Sequence, residues 1–184
     1  MALKPTRIEG FAIVSDDGML AEPSGHMPDS LKFDADQKFF RDGMDRCDVA
    51  IHGRHSHEQQ PNSKKRHRIW VTGRVKTVER EDGERRVLLW NPAGASFEQA
   101  WDVLGVDGSL GVVGGTDVFG LFLPLYTEFH LTRAPGVKLP GGRPVFPEVP
   151  AKTPESILQQ QGLKPDAPQM LDAEKNLKVV TWRR

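Results

Sequence analysis

The chain has 184 residues, with 25 basic and 25 acidic side chains and a formal net charge of zero. This length suits a single folded domain, residues 1–184, with its own core. A neutral chain gives no electrostatic reason to expect nucleic acid or an anionic membrane as a partner. No apolar run approaches the roughly 20 residues of a membrane span. Cys47 is the only cysteine, and the first residues lack the pattern of a signal peptide, so a reducing, cytoplasmic location is expected.

The first predicted elements are a strand, a long loop and a helix. Residues 8–14 form an apolar run of strand length, and residues 19–33 form an irregular loop rich in proline and glycine. A loop of that length inside a compact domain is often functional, for example as a lid. A helix is predicted from Asp34 to about Gly43, with Gln37 as the capping-box partner of Asp34.

Asp36 lies on the apolar side of this helix, since it shares a face with Phe39 and Phe40 by the three-and-four spacing. A carboxylate on an apolar face loses hydration unless it is paired. One interpretation is an acid with a raised pKa that binds or protonates a substrate. The other is a first-turn carboxylate that faces water and is stabilised by the helix dipole. The pattern alone favours the second interpretation.

Three later strands are predicted to end at glycines. The strands are residues 48–52, 69–72 and 110–113, and the pairs that follow them are Gly53-Arg54, Gly73-Arg74 and Gly114-Gly115. Ligands of parallel sheets bind outside the carboxyl ends of the strands, so one shared nucleotide-phosphate site is predicted.

After the glycine pair, Thr116 is expected to cap a helix that carries Val118, Phe119, Phe122 and Leu123 on one side and stops at Pro124. Such a helix start, next to bare glycine backbone, favours an anion. A Gly-Gly turn that merely packs a strand on a helix is the alternative.

The remaining predictions complete the fold. They are a hairpin of residues 75–78 and 87–90, a helix capped by Ser96 and Gln99, a strand at 129–132, a helix over 153–162 and a strand at 177–182. The alternation of strands and helices predicts an α/β fold with a mostly parallel sheet, helices on both faces and an antiparallel C-terminal edge strand.

A histidine-rich segment offers a rival interpretation as a metal site. His52, His55 and His57 with Glu58 could supply ligands, but a metal normally takes a further ligand from a distant element. Nothing singles out His26 or His130 for that role, so we expect no metal.

Several short motifs, in this order, resemble dihydrofolate reductase and the related reductase domain of bacterial riboflavin biosynthesis. They are Met27-Pro28, Asp36 with Phe39-Phe40, Gly53 to Ser56, residues 69–72, Val113-Gly114-Gly115, Phe122-Leu123-Pro124, His130-Leu131-Thr132 and Phe146-Pro147. They lie within residues 8–147. The resemblance implies one dihydrofolate-reductase-like domain, an NADPH-dependent oxidoreductase that acts on a small molecule, and a monomer or homodimer.

The resemblance also implies roles for individual residues. Asp36 would be the active-site acid that bonds the pterin, supported by Thr132. The substrate would also meet Met27, Phe39, Phe40 and, near the carboxylate of its glutamate tail, Arg66. Arg54, His55 and Ser56 would contact the cofactor phosphates, while Thr72 and Arg74 would flank the 2′-phosphate. The other implied cofactor-binding residues are Gly53, Gly73, Val113, Gly114, Gly115, Thr116, Asp117, Val118 and Phe119, and residues 18–29 would be a mobile lid.

Three positions differ from the family pattern. Asp29 replaces a tryptophan after Met-Pro, Phe119 replaces a tyrosine, and Arg143 stands near an acidic position before Phe-Pro. The turn at residues 15–18 and residues 46–49 resemble the riboflavin-type reductase, whose pyrimidine substrate carries a phosphate that Lys64, Lys65 or Arg66 could contact. The substrate is thus a pterin, with conversion of dihydrofolate to tetrahydrofolate, or an aminopyrimidine. A non-catalytic nucleotide-binding module and a metal-dependent hydrolase are the alternatives from other classes.

Overall fold

The computed structural model of the protein describes residues 2–54, 63–81, 83 and 86–184. Its strands are β1 (Ile8–Val14), β2 (Met19–Ala21), β3 (Val49–His52), β4 (His67–Val71), β5 (Val78–Arg80), β6 (Val87–Trp90), β7 (Leu110–Gly114), β8 (Glu128–Arg133), β9 (Arg143–Pro144), β10 (Lys164–Pro165), β11 (Gln169–Asp172) and β12 (Leu177–Arg183). Its α-helices are α1 (Asp34–Asp45), α2 (Phe97–Leu104), α3 (Thr116–Leu121) and α4 (Pro154–Gln160). None of these helices has the length and apolar character needed to cross a membrane.

One large mixed sheet organises the chain, in the order β10-β12-β8-β1-β7-β3-β4-β6-β5, with β11 also paired to β12. The strands from β8 to β6 in this order run parallel. β5 pairs antiparallel with β6, and β12 pairs antiparallel with β8, β10 and β11. The predicted α/β fold, with a mostly parallel sheet and an antiparallel C-terminal region, is confirmed.

Helices cover both faces of the sheet. Side chains along each strand alternate in direction, so each strand contributes residues to both layers. Ile8 and Val14 of β1 belong to the main core, together with apolar residues of α2, α3 and α4. Phe11 points to the opposite face, where α1 lies. A Cβ at Gly43 of α1 would be 2.3 Å from the Phe11 ring, so glycine allows the helix to approach the strand closely.

Two predicted helix caps are wrong. α1 begins at Asp34 itself, after Phe33, and no side chain caps it. α3 begins at Thr116 after Gly115, and the Thr116 hydroxyl donates to the carbonyl of Pro144 instead of to its own helix. α3 also ends at Leu121, so it includes the predicted Val118 and Phe119 but not Phe122 and Leu123. The capping box of α2 and the Thr153 cap of α4 are confirmed.

Two segments differ from their predicted structure. The loop at residues 19–33 contains β2, which pairs with β9 in a separate two-stranded sheet, and a 3₁₀ turn at Asp29–Leu31. The predicted hairpin is present, but its first strand begins at Val78. Val75 lies in the preceding loop, where its carbonyl accepts a hydrogen bond from the Asn91 side chain.

A buried polar cluster lies on the α1 face of β1 and β8. Glu9 Oε1 is 3.1 Å from His130 Nε2, and Glu9 Oε2 accepts a 2.8 Å hydrogen bond from Arg7 Nε. The His130 ring stacks on Phe11 with centroids 4.7 Å apart. Burial by itself would raise the pKa of Glu9, but the hydrogen bonds from His130 and Arg7 lower it to about 2. The fold therefore stabilises the ionised carboxylate.

Candidate functional site

The carboxyl ends of three neighbouring strands form one edge of the sheet. β7, β3 and β4 lie side by side and run in the same direction. β3 leads to Gly53, β4 leads to Thr72 and Gly73, and β7 leads to Gly115. The backbone N–H of Gly53 donates to the carbonyl of Gly114 at 2.8 Å. This hydrogen bond links the turn after β3 to the end of β7. The sheet thus brings together the three glycine-marked strand ends.

A cavity of about 890 Å³ opens at this edge. The predicted cofactor-binding residues that line it are Gly53, Arg54, Thr72, Gly73, Arg74, Gly115, Thr116, Asp117 and Val118. Leu20, Ala21 and Gly25, from the predicted lid, close another side. The volume lies within the range of about 300–1,000 Å³ that is usual for small-molecule sites.

The cavity is lined by three arginines, Arg54, Arg74 and Arg143, and by the carboxylate of Asp117. Arg74 Nη2 forms an ion pair with Glu81 Oε2 at 2.5 Å, which holds its guanidinium in place. Guanidinium groups bind phosphates through charge-assisted hydrogen bonds. The lining therefore suits an anionic ligand of nucleotide size.

Three predicted cofactor-binding residues lie behind the cavity and do not line it. Phe119 is buried in the core, with its ring 5.6 Å from that of Phe129. Gly114 has φ +107°, and a Cβ there would be 2.5 Å from the Phe119 ring. Val113 packs against the cluster under α1. The side chains of Val113 and Phe119 thus pack in the core, and cofactor contact through the backbone of this segment stays a prediction.

Asp36 and Thr132 meet on the face of the sheet that α1 covers. The Thr132 side chain, buried near the carboxyl end of β8, donates a hydrogen bond to the Asp36 carboxyl. Asp36 is half-buried, and burial raises the pKa of its carboxyl to about 6, while the hydrogen bond from Thr132 offsets only part of this effect. The interpretation of Asp36 as a carboxylate facing water is wrong. A pKa of about 6 is that of an acid able to hold a proton near neutral pH.

Aromatic rings lie on the same helix face as Asp36. Phe39 and Phe40 contact the Phe11 ring edge-on, at centroid distances of 6.4 and 5.8 Å. Met27 is half-buried and packs in the neighbouring cluster with Leu31. These apolar surfaces flank the acid.

Arg66 is the predicted substrate residue that the structure places elsewhere. It is buried, and its Nη2 lies 2.9 Å from Asp45 Oδ1 at the end of α1. A buried guanidinium needs such a partner, and Arg66 does not line the cavity. The predicted contact of Arg66 with a substrate carboxylate stays a prediction, and in this structure its charge is paired with Asp45.

Three lining residues were not among the predicted site or lid residues, namely Trp70, Val71 and Arg143. Trp70 is the penultimate residue of β4, and its ring lies 5.7 Å from that of His52. Arg143 lies on β9 and pairs with Ala21 of β2. The sequence did carry a signal for Arg143, a basic residue near a position where the resemblance expects an acid.

Most of the histidine-rich segment lies outside the described residues, so the metal interpretation stays untested. His55, Ser56, His57 and Glu58 lie outside the described residues. His52 is buried, with Nδ1 2.9 Å from the carbonyl of Gly53.

No family model matches the chain, and no curated protein matches it by sequence. Solved structures, however, match it over nearly its whole length. A protein from Shewanella sp. PV-4, provisionally named a riboflavin biosynthesis protein, is 21% identical, with a TM-score of 0.64 over 97% of this chain and 99% of that one. Dihydrofolate reductase from Enterococcus faecalis is 19% identical, with a TM-score of 0.63 over 97% and 96%. The chain has the dihydrofolate reductase fold.

A third structure shares this fold within a longer protein. It is the diaminohydroxyphosphoribosylaminopyrimidine deaminase/5-amino-6-(5-phosphoribosylamino)uracil reductase of Thermotoga maritima, 15% identical, with a TM-score of 0.66. The match covers 98% of this chain and 56% of that protein. The Enterococcus enzyme was solved in complex with NADP(H). At these identities the comparisons establish the dihydrofolate reductase fold alone.

Proposed function

We propose that this protein is an NADPH-dependent reductase of dihydrofolate reductase type, which transfers a hydride to the C=N bond of a pterin. The observation that carries the proposal is the placement of two features at one edge of the sheet. An arginine-lined cavity of about 890 Å³ opens there, and a half-buried acid with a pKa of about 6 lies near the carboxyl end of β8. The NADP(H) complex of a structure with the same fold supports the choice of cofactor.

The residues of the cavity fit a dinucleotide. A Cβ at Gly73 would meet no atom within 4 Å, so this turn presents open backbone to a ligand. Arg74, held by Glu81, would bind the 2′-phosphate that distinguishes NADPH from NADH. Arg54, which follows the neighbouring strand, would bind another phosphate of the ligand. Bound there, the nicotinamide would supply the hydride.

Asp36 would hold and orient the substrate. A carboxyl group with a pKa of about 6 keeps a proton on about a tenth of molecules at pH 7, far more than an ordinary aspartate does. It can donate to a ring nitrogen or, when ionised, accept hydrogen bonds from amino groups. Thr132 would fix the orientation of the carboxyl, and the rings of Phe39 and Phe40 would exclude water on one side.

NADPH oxidation in the presence of dihydrofolate, followed spectrophotometrically, tests the proposal. Asp36→Asn should lower kcat by about 10²–10⁴-fold, the usual contribution of a positioned acid, and leave NADPH affinity near wild type. Asp34→Asn is the matched control, because Asp34 is an exposed acid in the same helical turn. Full activity of Asp36→Asn would remove the role assigned to this residue.

A riboflavin-pathway reductase acting on a phosphoribosylaminouracil is the second candidate. Two of the structures reported above carry names from that pathway, and Lys64 and Lys65 are exposed cations available to a substrate phosphate. Turnover with the aminouracil and none with dihydrofolate would favour this candidate. NADPH binding without turnover on either would instead indicate a nucleotide-binding module.

A further inference from the structure

Arg143 connects the dinucleotide cavity to the segment that covers it. It lies on β9, opposite Ala21 of β2. From there its Nε donates to the carbonyl of Pro23 at 3.4 Å and its Nη2 donates to the carbonyl of Ser24 at 3.2 Å. The same side chain lines the cavity. One guanidinium thus contacts both the turn and the ligand space.

The turn at residues 22–25 packs closely against the Arg143 guanidinium. Gly25 has φ +90°, and a Cβ there would lie 2.8 Å from Arg143 Cζ. Only glycine combines that backbone conformation with so close an approach. The N–H of Gly25 also donates to the carbonyl of Glu22 at 2.8 Å, which closes the turn.

The charge of Arg143 has no carboxylate partner in the part of the chain that the structure describes. Its described partners are neutral carbonyls, and they use two of its five N–H donors. The Thr116 hydroxyl donates to the carbonyl of the next residue, Pro144, so β9 is fixed beside the cavity wall. A half-buried cation with spare donors, held against a cavity, is suited to a phosphate.

We propose that Arg143 is a phosphate-binding residue of this cavity and that the 22–25 turn is ordered by the same guanidinium. Binding of a phosphate would fix the guanidinium, and the guanidinium would in turn fix the carbonyls of Pro23 and Ser24. Ligand binding and the position of the turn are therefore coupled. The assignment rests on the proposed function for the source of the phosphate, which is either the cofactor diphosphate or a phosphate of the substrate.

Titrations of wild type and Arg143→Gln with NADPH, NADH and, at saturating NADPH, ribose 5-phosphate separate the two sources. Loss of one charge-assisted contact should weaken binding by about 10-fold. Equal weakening of NADPH and NADH assigns the cofactor diphosphate, which both contain. Weakening of ribose 5-phosphate alone assigns a substrate phosphate. Arg143→Lys keeps the charge and should lose less affinity than Arg143→Gln. Arg41 is an exposed arginine of α1, so Arg41→Gln should leave the affinities unchanged. Unchanged affinity of Arg143→Gln for all three probes would overturn the proposal.

Amide hydrogen exchange tests the coupling. The ligand should slow exchange of the amides of Glu22, Ser24 and Gly25 in wild type but not in Arg143→Gln, and equal slowing in both would overturn the coupling. If wild-type protein binds neither NADPH nor NADH, the proposed function fails, and inorganic pyrophosphate then tests Arg143 separately. Pyrophosphate binding that Arg143→Gln weakens about 10-fold supports the phosphate site. Binding that the variant does not weaken, or no binding at all, rejects it.

Discussion

Thr132, near the carboxyl end of β8, donates its hydroxyl hydrogen bond to Asp36 in the first turn of α1. In the sheet, Thr132 lies opposite Ile13 of β1. The contact therefore ties α1 to the centre of the sheet and keeps a carboxyl group out of bulk water. This burial raises the pKa of Asp36 to about 6, so the ionised carboxylate destabilises the fold. The same residue is the acid that the proposed chemistry needs.

Asp36→Asn should stabilise the protein in a pH-dependent way. The folded-state pKa of about 6 lies above the ordinary value of 3.8, so the wild-type fold loses stability as pH rises through this interval and keeps that deficit above it. One pKa unit is worth about 1.4 kcal/mol, so the asparagine should raise the free energy of unfolding by up to about 3 kcal/mol at about pH 8 and by less at about pH 5. Urea unfolding at both pH values measures this. A gain that is equal at both, or that Asp34→Asn shares, would contradict the assignment.

Arg74→Gln should change the choice between cofactors. If Arg74 binds the 2′-phosphate, its loss should weaken NADPH by about 10–100-fold, which corresponds to about 1.5–3 kcal/mol for a hydrogen bond to a charged group. NADH, which lacks that phosphate, should bind with unchanged affinity. Parallel fluorescence titrations measure both. Lys76→Gln removes a nearby exposed charge that does not line the cavity, and it should alter neither affinity.

Gly114→Ala should destabilise the fold. The backbone at Gly114 has φ +107°, and the added Cβ would lie 2.5 Å from the buried Phe119 ring. Backbone strain and overpacking together should cost about 2–4 kcal/mol. At Gly73 a Cβ would meet nothing within 4 Å, so Gly73→Ala should change the free energy of unfolding by less than about 0.5 kcal/mol. Equal thermal stability of the two variants would show that Phe119 does not restrict the glycine turn.

Glu9→Gln should destabilise the protein at neutral pH but not in acid. The pKa of Glu9 is lowered from 4.5 to about 2, so the carboxylate stabilises the fold above 4.5, and this contribution is lost as pH falls toward 2. At neutral pH the loss should reach up to about 3 kcal/mol. Denaturant unfolding of the variant and of wild type from neutral to acid pH should give converging curves. Glu79→Gln, an exposed acid of β5, is the control and should have little effect at any pH. A constant difference would show that Glu9 contributes through packing and not through its charge.

Local sequence patterns were enough to predict the fold class and the edge of the sheet at which the cavity opens. Strand periodicity, helix-capping residues and glycines at strand ends are local signals. They predicted the α/β sheet and a shared site at Gly53, Gly73 and Gly115, which line one cavity. The parallel direction of adjacent strands then required their ends to meet.

Which polar side chains line the cavity and which are paired inside the fold could be learned only from the three-dimensional contacts. Asp36 is half-buried and interacts with Thr132 of a distant strand, and the charge of the buried Arg66 is paired with Asp45. Arg143 reaches the cavity because β9 pairs with β2. Each of these outcomes depends on burial and partners supplied by residues distant in the chain, and no local pattern encodes such contacts.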